Sequence, residues 1–259
     1  MFRAQNTKRL KRIAIPLNNR SMLCQLCLKN ENLCDSHIIP EFFYKPLYDD
    51  INRYLQFSTK PKIKNIYRQK GIWEKFLCEN CEKYFSRLED YARRILFGGT
   101  EIEISQQRGK IVLTNLDYSK FKLFQLSLLW RAGASKRPEF SKVNLGHHQN
   151  RLRLMLISQK PGKAHEYGCI LTATPSLSEL LSEFIMAPDS IKVKGHQCYR
   201  LLFGYILWVF FVSSHTSRLS SEDLFLSEYG SLPIFLENNK SIEFIQTFVD
   251  QLKAAGKLD

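Results

Sequence analysis

Two Cys-x-x-Cys pairs, Cys24/Cys27 and Cys78/Cys81, are the residues best spaced for chemistry in this chain of 259. Four thiolates delivered as two close pairs suit a tetrahedral zinc ion, whose borderline-soft character favours sulfur. Fifty residues separate the pairs, more than a compact ribbon uses. Two thioredoxin-like redox pairs, or four unrelated core cysteines, are the competing readings; no βαβ pattern surrounds either pair, which weighs against redox chemistry. Between the pairs lies His37, whose ordinary pKa lets an imidazole take a proton near neutrality. Glu82 directly follows Cys81, and Glu89 stands seven residues further on. On a helix both carboxylates then project from nearly one face, where they would serve a hard cation or orient the histidine. Otherwise both face solvent, and Glu82 is a favourable charge in the first helical turn.

The elements that must position these groups are legible in outline. Residues 33–40 read as a short strand stopped by Pro40. The irregular stretch from Glu41 to Lys64 is long enough to imply function or a local helix. Residues 65–69 and 72–77 read as two strands around a Lys70-Gly71 turn. Cys78 opens a helix whose Phe85, Leu88, Ala92 and Ile95 recur at helical spacing and which Gly98-Gly99 ends. Behind it, residues 101–105 and 110–115 alternate as a hairpin. Asp117 or Ser119 caps a helix running to about Arg131; Phe121, Phe124, Leu128 and Trp130 make it apolar on nearly every side, hence buried. A helix over 148–159 follows, then strands near 167–173, 191–199 and 201–213, the last aromatic-rich and central. Ser241 caps a closing helix with Ile245, Phe248, Val249 and Leu252 at helical intervals. The expected fold class is α+β: a basic arm over 1–20, a zinc-bound module over 21–98, and an α+β domain over 99–259 that offers no chemistry of its own. Cys34, Cys169 and Cys198 sit singly among apolar neighbours and read as core.

Charge is distributed unevenly. The chain carries 38 Lys+Arg against 25 Asp+Glu; residues 1–163 hold 31 basic and 14 acidic residues, residues 164–259 hold 7 and 11. A front half facing a polyanion is the functional reading, a solvated basic surface the ordinary one. Lys60, Lys62, Lys64, Arg68 and Lys70 beside the expected hairpin, with Arg87, Arg93 and Arg94 on the helix, would neutralise phosphates without reading bases. Tyr44, Tyr48, Tyr54 and Tyr67 could stack on bases or fill the core; Trp73 is assigned to the core. His147-His148, His165, His196 and His215 lack partners at ligand spacing. No phosphate loop, dinucleotide fingerprint or nucleophile elbow occurs. The longest apolar run, from Leu201 to Val212, has twelve residues, short of the roughly 20 that span a membrane. The basic start lacks an apolar segment behind it, so no secretory signal is expected, and the thiols point to the cytoplasm.

Cys-x-x-Cys, a strand ending in Ser36-His37-Ile38-Ile39-Pro40, and a second Cys-x-x-Cys opening a helix together resemble the zinc-containing HNH (His-Me finger) endonucleases over about residues 21–97. The resemblance implies a treble-clef ββα-metal fold around structural zinc. His37 would be the general base for water attacking a phosphodiester. Mg²⁺ or Mn²⁺ would be held between the residue before the histidine and a helix residue, here Glu82, with Glu89 near it. Two positions depart from the family pattern: Ser36 stands where Asp is usual, with Asp35 one residue back, and Glu82 stands where Asn or His is usual. One carboxylate remains either way. The implied activity is metal-dependent cleavage of nucleic acid, DNA more than RNA, of the kind found in bacterial defence or mobile elements. The back domain would recognise a substrate, dimerise or bind a protein partner that controls the nuclease. A non-catalytic zinc ribbon that binds nucleic acid or protein, with Ser36 marking a lost site, is the alternative, and an interaction subunit with an incidental basic face is a third.

Overall fold

The computed structural model describes residues 22–57, 62, 64–173, 185–213, 223–237 and 243–257; the basic arm expected over 1–20 lies outside them, as do Lys60, His215 and Ser241. In the front region β1 (Met22–Leu23) and β2 (Asn30–Glu31) pair antiparallel around the first cysteine pair. They are followed by β3 (Leu33–His37), β4 (Tyr54–Gln56), β5 (Ile66–Arg68), β6 (Trp73–Cys78) and α1 (Glu79–Phe97). Between β3 and β4 the chain makes two short 3₁₀ turns, Glu41–Phe43 and Lys45–Leu47. The strand expected over 33–40 ends earlier, at His37, and Ile38 and Ile39 are buried just beyond it. In α1 the residues Cys81, Phe85, Leu88, Tyr91, Ala92 and Ile95 form the buried stripe that the spacing predicts, and Gly98 ends the helix at φ 85°.

The hairpin expected between 65–69 and 72–77 does not form. Instead β5 pairs with β4, and β6 pairs with β3. Gly71 serves close packing rather than a hairpin: a Cβ there would lie 2.4 Å from the Tyr44 ring. Ile38 N–H donates to Ile72 O at 2.9 Å, carrying the β3–β6 pairing as far as the residue beside the glycine.

The rest of the chain builds β7 (Glu103–Gln107), β8 (Lys110–Thr114), α2 (Tyr118–Ala134), α3 (His148–Ile157), β9 (Cys169–Ala173), β10 (Met186–Val193), β11 (His196–Phe203), β12 (Ile206–Phe211), β13 (Leu232–Leu236) and α4 (Glu243–Ala254). Seven strands form one sheet in the order β10-β11-β12-β9-β13-β8-β7, antiparallel except for the β13–β9 pair. The class is α+β, as expected. Two expected strands over 191–213 are three, because Lys194-Gly195 and Gly204-Tyr205 each place two successive residues at positive φ, the backbone of a tight two-residue hairpin. On α4, Phe248 and Val249 pack against Met186, Leu202 and Leu207.

The helix α2 joins the two regions. Asp117 caps it by accepting from Lys120 N–H at 3.0 Å. Its Phe124 ring lies 6.2 Å from both Phe42 of the front region and Trp208 of the sheet. Trp130 meets Phe76 and Phe85 at 5.3 and 6.0 Å. One buried apolar cluster consequently runs from Cys24 through α2 to Ile234. Among the described residues no helix is long and apolar enough to cross a membrane.

Candidate metal centre and histidine site

The fold brings the two cysteine pairs together: the Sγ atoms of Cys24, Cys27, Cys78 and Cys81 all lie within 4.8 Å of one another. Zn–S bonds of about 2.3 Å give tetrahedral sulfur–sulfur edges of about 3.8 Å. Cys27 Sγ and Cys78 Sγ stand 3.8 Å apart. All seven cysteines are free of disulfides, so the four-thiol cluster can hold a structural zinc ion. The first pair sits on a knuckle in which Cys24 N–H donates to Lys29 O and Leu28 N–H to Cys24 O, each at 2.9 Å, with Leu28 at φ 59°. The second pair straddles the start of α1, and Cys78 N–H points at Cys24 Sγ from 3.3 Å. Burial raises the Cys24 thiol, but the backbone N–H groups of Cys27, Cys78 and Leu26 outweigh it and hold the thiol below its usual value. Burial pushes Cys27 and Cys81 up. Zinc would repay that cost by binding the thiolates.

Alternation along β3 sends Asp35 and Ser36 to different partners. Asp35 forms a cross-strand ion pair with Lys75 at 2.6 Å. Ser36 is buried, accepts from Leu77 N–H at 3.3 Å and donates from Oγ to Glu82 Oε2 at 2.5 Å. The residue before the histidine and the residue after the last cysteine are therefore in direct contact. His37 Nε2 lies 2.6 Å from Glu41 Oε2, and Glu41 Oε1 accepts from Tyr48 OH at 2.6 Å. Burial holds the imidazole below its ordinary pKa; Arg131 and Lys70 push the same way, against the charges of Glu41 and Glu82.

Glu89 does not join Glu82. Its carboxylate takes Arg131 Nη1 at 2.6 Å, and the same nitrogen donates to His37 O at 2.9 Å. Burial raises Glu89 and the guanidinium opposes it. Arg131 is itself 2% exposed, donates to Ser127 O and lies over the Phe85 ring. Glu41 and Arg131 are the site residues the sequence reading missed. Glu41 follows a proline break, so no regular period linked it to His37. Arg131 did carry a signal: a cation near the end of a helix that is apolar on nearly every side must find a buried partner.

The basic residues divide. Lys62, Lys64, Arg68 and Lys70 are exposed; Arg68 donates to Gln56 at 2.9 Å, and Lys70 lies over the Trp73 ring. On α1, at about 100° per residue, Arg93 shares the Glu82/Glu89 edge, whereas Arg87 and Arg94 lie roughly 120–140° around the helix from Glu82. Arg93 and Arg94 both pair with Asp90. Trp73, assigned to the core from sequence, is 36% exposed, because β6 reaches the surface at its first residue. It lines an open groove of about 470 Å³ with Arg68, Lys70 and Arg137. Tyr44 and Tyr54 are core, whereas Tyr67 is exposed beneath Arg53. Cys34 is only half-buried, while Cys169 and Cys198 are buried as expected. The His147 and His148 rings lie 3.9 Å apart and tilted by 36°, and His148 Nδ1 contacts Tyr167 OH at 2.9 Å.

No protein-family model, no curated protein and no solved structure matches this chain.

Proposed function

We propose that the chain is a metal-dependent, HNH-like endonuclease that hydrolyses phosphodiester bonds in nucleic acid, DNA before RNA, on a zinc-stapled treble-clef frame. The observation that carries this reading is the contact of Ser36 Oγ with Glu82 Oε2 at 2.5 Å beside His37. It joins the two positions at which the resemblance expects ligands for a divalent ion. A hydroxyl and a carboxylate are hard oxygen donors, which fit Mg²⁺ or Mn²⁺. A bound ion there would stabilise charge developing on the scissile phosphate. His37 acts as the base. With Nε2 given to Glu41, Nδ1 is the nitrogen left to accept a proton from water. Glu89 does not reach the ion in this reading; with Arg131 it holds the His37 backbone. Lys62, Lys64, Arg68 and Lys70 supply phosphate contacts.

The test is nicking of supercoiled plasmid and cleavage of structured RNA in Mg²⁺ or Mn²⁺ by wild type, Glu82→Ala and Ser36→Ala at equal zinc content. Cleavage by the wild type, lost in Glu82→Ala, is the expected result. Equal rates in wild type and Glu82→Ala overturn it. One observation favours a second reading: Glu82 and Glu89 each already have a protein partner, Ser36 and Arg131. A wild type that binds nucleic acid without cutting it is a non-catalytic zinc module.

A further inference from the structure

The groove beside His37 is built from both regions of the molecule. Tyr54, Arg68, Lys70 and Trp73 come from the front; Arg137 and Glu139 come from the turn after α2. Trp73 is the cross-strand partner of His37, so the groove adjoins the histidine. A volume of about 470 Å³ falls within the range of small-molecule sites. On its wall Arg137 and Glu139 form an ion pair, Arg137 Nη2 donating to Glu139 Oε1 at 3.3 Å, and both side chains keep part of their surface exposed.

We infer that this groove takes one unpaired guanine nucleotide, stacked on Trp73, with Glu139 and Arg137 reading the base and Arg68 or Lys70 meeting its phosphate. An indole face stacks on any base. The two polar groups select among bases. A carboxylate only accepts, and guanine alone presents two adjacent donors, N1–H and N2–H₂. A guanidinium only donates, and guanine offers the acceptor pair O6 and N7. Adenine supplies one donor group on that edge, its exocyclic amine, where guanine supplies the ring N1–H and the exocyclic N2–H₂. The inference deepens the nuclease reading by naming a base beside the cleavage site, and the reading is what makes that base part of a substrate.

Binding is scored without cleavage, so the two can fail separately. The chain has three tryptophans, of which Trp130 and Trp208 are at most 1% exposed, so fluorescence quenching by added nucleotide reports Trp73. The zinc-loaded protein is titrated with the 5′-monophosphates of guanosine, adenosine, cytidine and uridine. Guanosine monophosphate is expected to bind at least about tenfold tighter than adenosine monophosphate. Quenching disappears in Trp73→Phe. Calorimetry on Glu139→Gln, a substitution that keeps shape, shows the guanosine preference falling by about tenfold. No quenching at millimolar nucleotide, quenching that survives Trp73→Phe, or equal affinity for guanosine and adenosine monophosphates overturns the inference.

Discussion

The front region and the seven-stranded sheet are held by different physics. Among the described residues the front strands run from two to six residues, and their ends meet at four thiols and a set of charged contacts. The sheet has strands of up to eight residues and an aromatic stack in which Trp208 lies 5.1 Å from Phe203 and 6.3 Å from Phe210, nearly parallel to both. The short front strands converge on a four-thiol cluster able to hold a zinc staple, whereas the long strands of the sheet stand chiefly on the apolar surface they bury. The polar site sits in the stapled part. A histidine and carboxylates placed by hydrogen bonds and ion pairs, beside four thiols able to hold zinc, can be arranged for chemistry that a dry aromatic core would exclude.

That contrast breaks most visibly when the staple is removed. Chelation of zinc, or Cys78→Ser, is expected to abolish amide-exchange protection in β3 and β6 while β11 and β12 stay protected; structural zinc is worth about 10–16 kcal/mol of apparent binding energy in small modules. Uniform loss of protection would merge the two regions into one cooperative unit. The mirror experiment is Trp208→Ala. It should cost about 3–5 kcal/mol by denaturant titration and leave zinc stoichiometry unchanged.

Arg131 sharpens the comparison because it spans the boundary. Arg131→Met leaves the largely buried Glu89 carboxylate unpaired and is expected to cost about 3–5 kcal/mol. The double variant Arg131→Met/Glu89→Leu should recover most of it, read by urea unfolding. Lys122 gives the smallest effect. Burial lowers its pKa to about 8, though its Nζ donates to Ala164 O and Tyr167 O. Between about 8 and the unfolded value of 10.5 the unfolded chain binds the extra proton, so stability rises with pH across that window. The contribution is lost as pH falls through the folded value. In a Cys169→Ser background, which removes the neighbouring thiol, wild-type Lys122 should gain stability relative to Lys122→Met between pH 8 and 10.5.

Sequence spacing exposed what is local. The cysteine pairs, the α1 stripe, the Asp117 cap and the β7–β8 hairpin each depend on residues a few positions apart, so their periods could be read directly. The β3–β6 pairing was hidden because the Lys70-Gly71 step resembles a hairpin turn, while the Tyr44 ring that presses on Gly71 is distant in sequence. Gly204-Tyr205 was overlooked because apolar residues continue on both sides of that turn. The site shows the same division. Glu82 was visible beside Cys81, but the buried Arg131 bond to His37 O joins residues 94 positions apart and has no local signature.

The most direct measurement is the Mg²⁺-dependent nicking rate of His37→Ala against wild type, each carrying one zinc ion per chain. An imidazole acting as general base predicts a loss of at least about a hundredfold with zinc retained. Nicking by His37→Ala at the wild-type rate would contradict it.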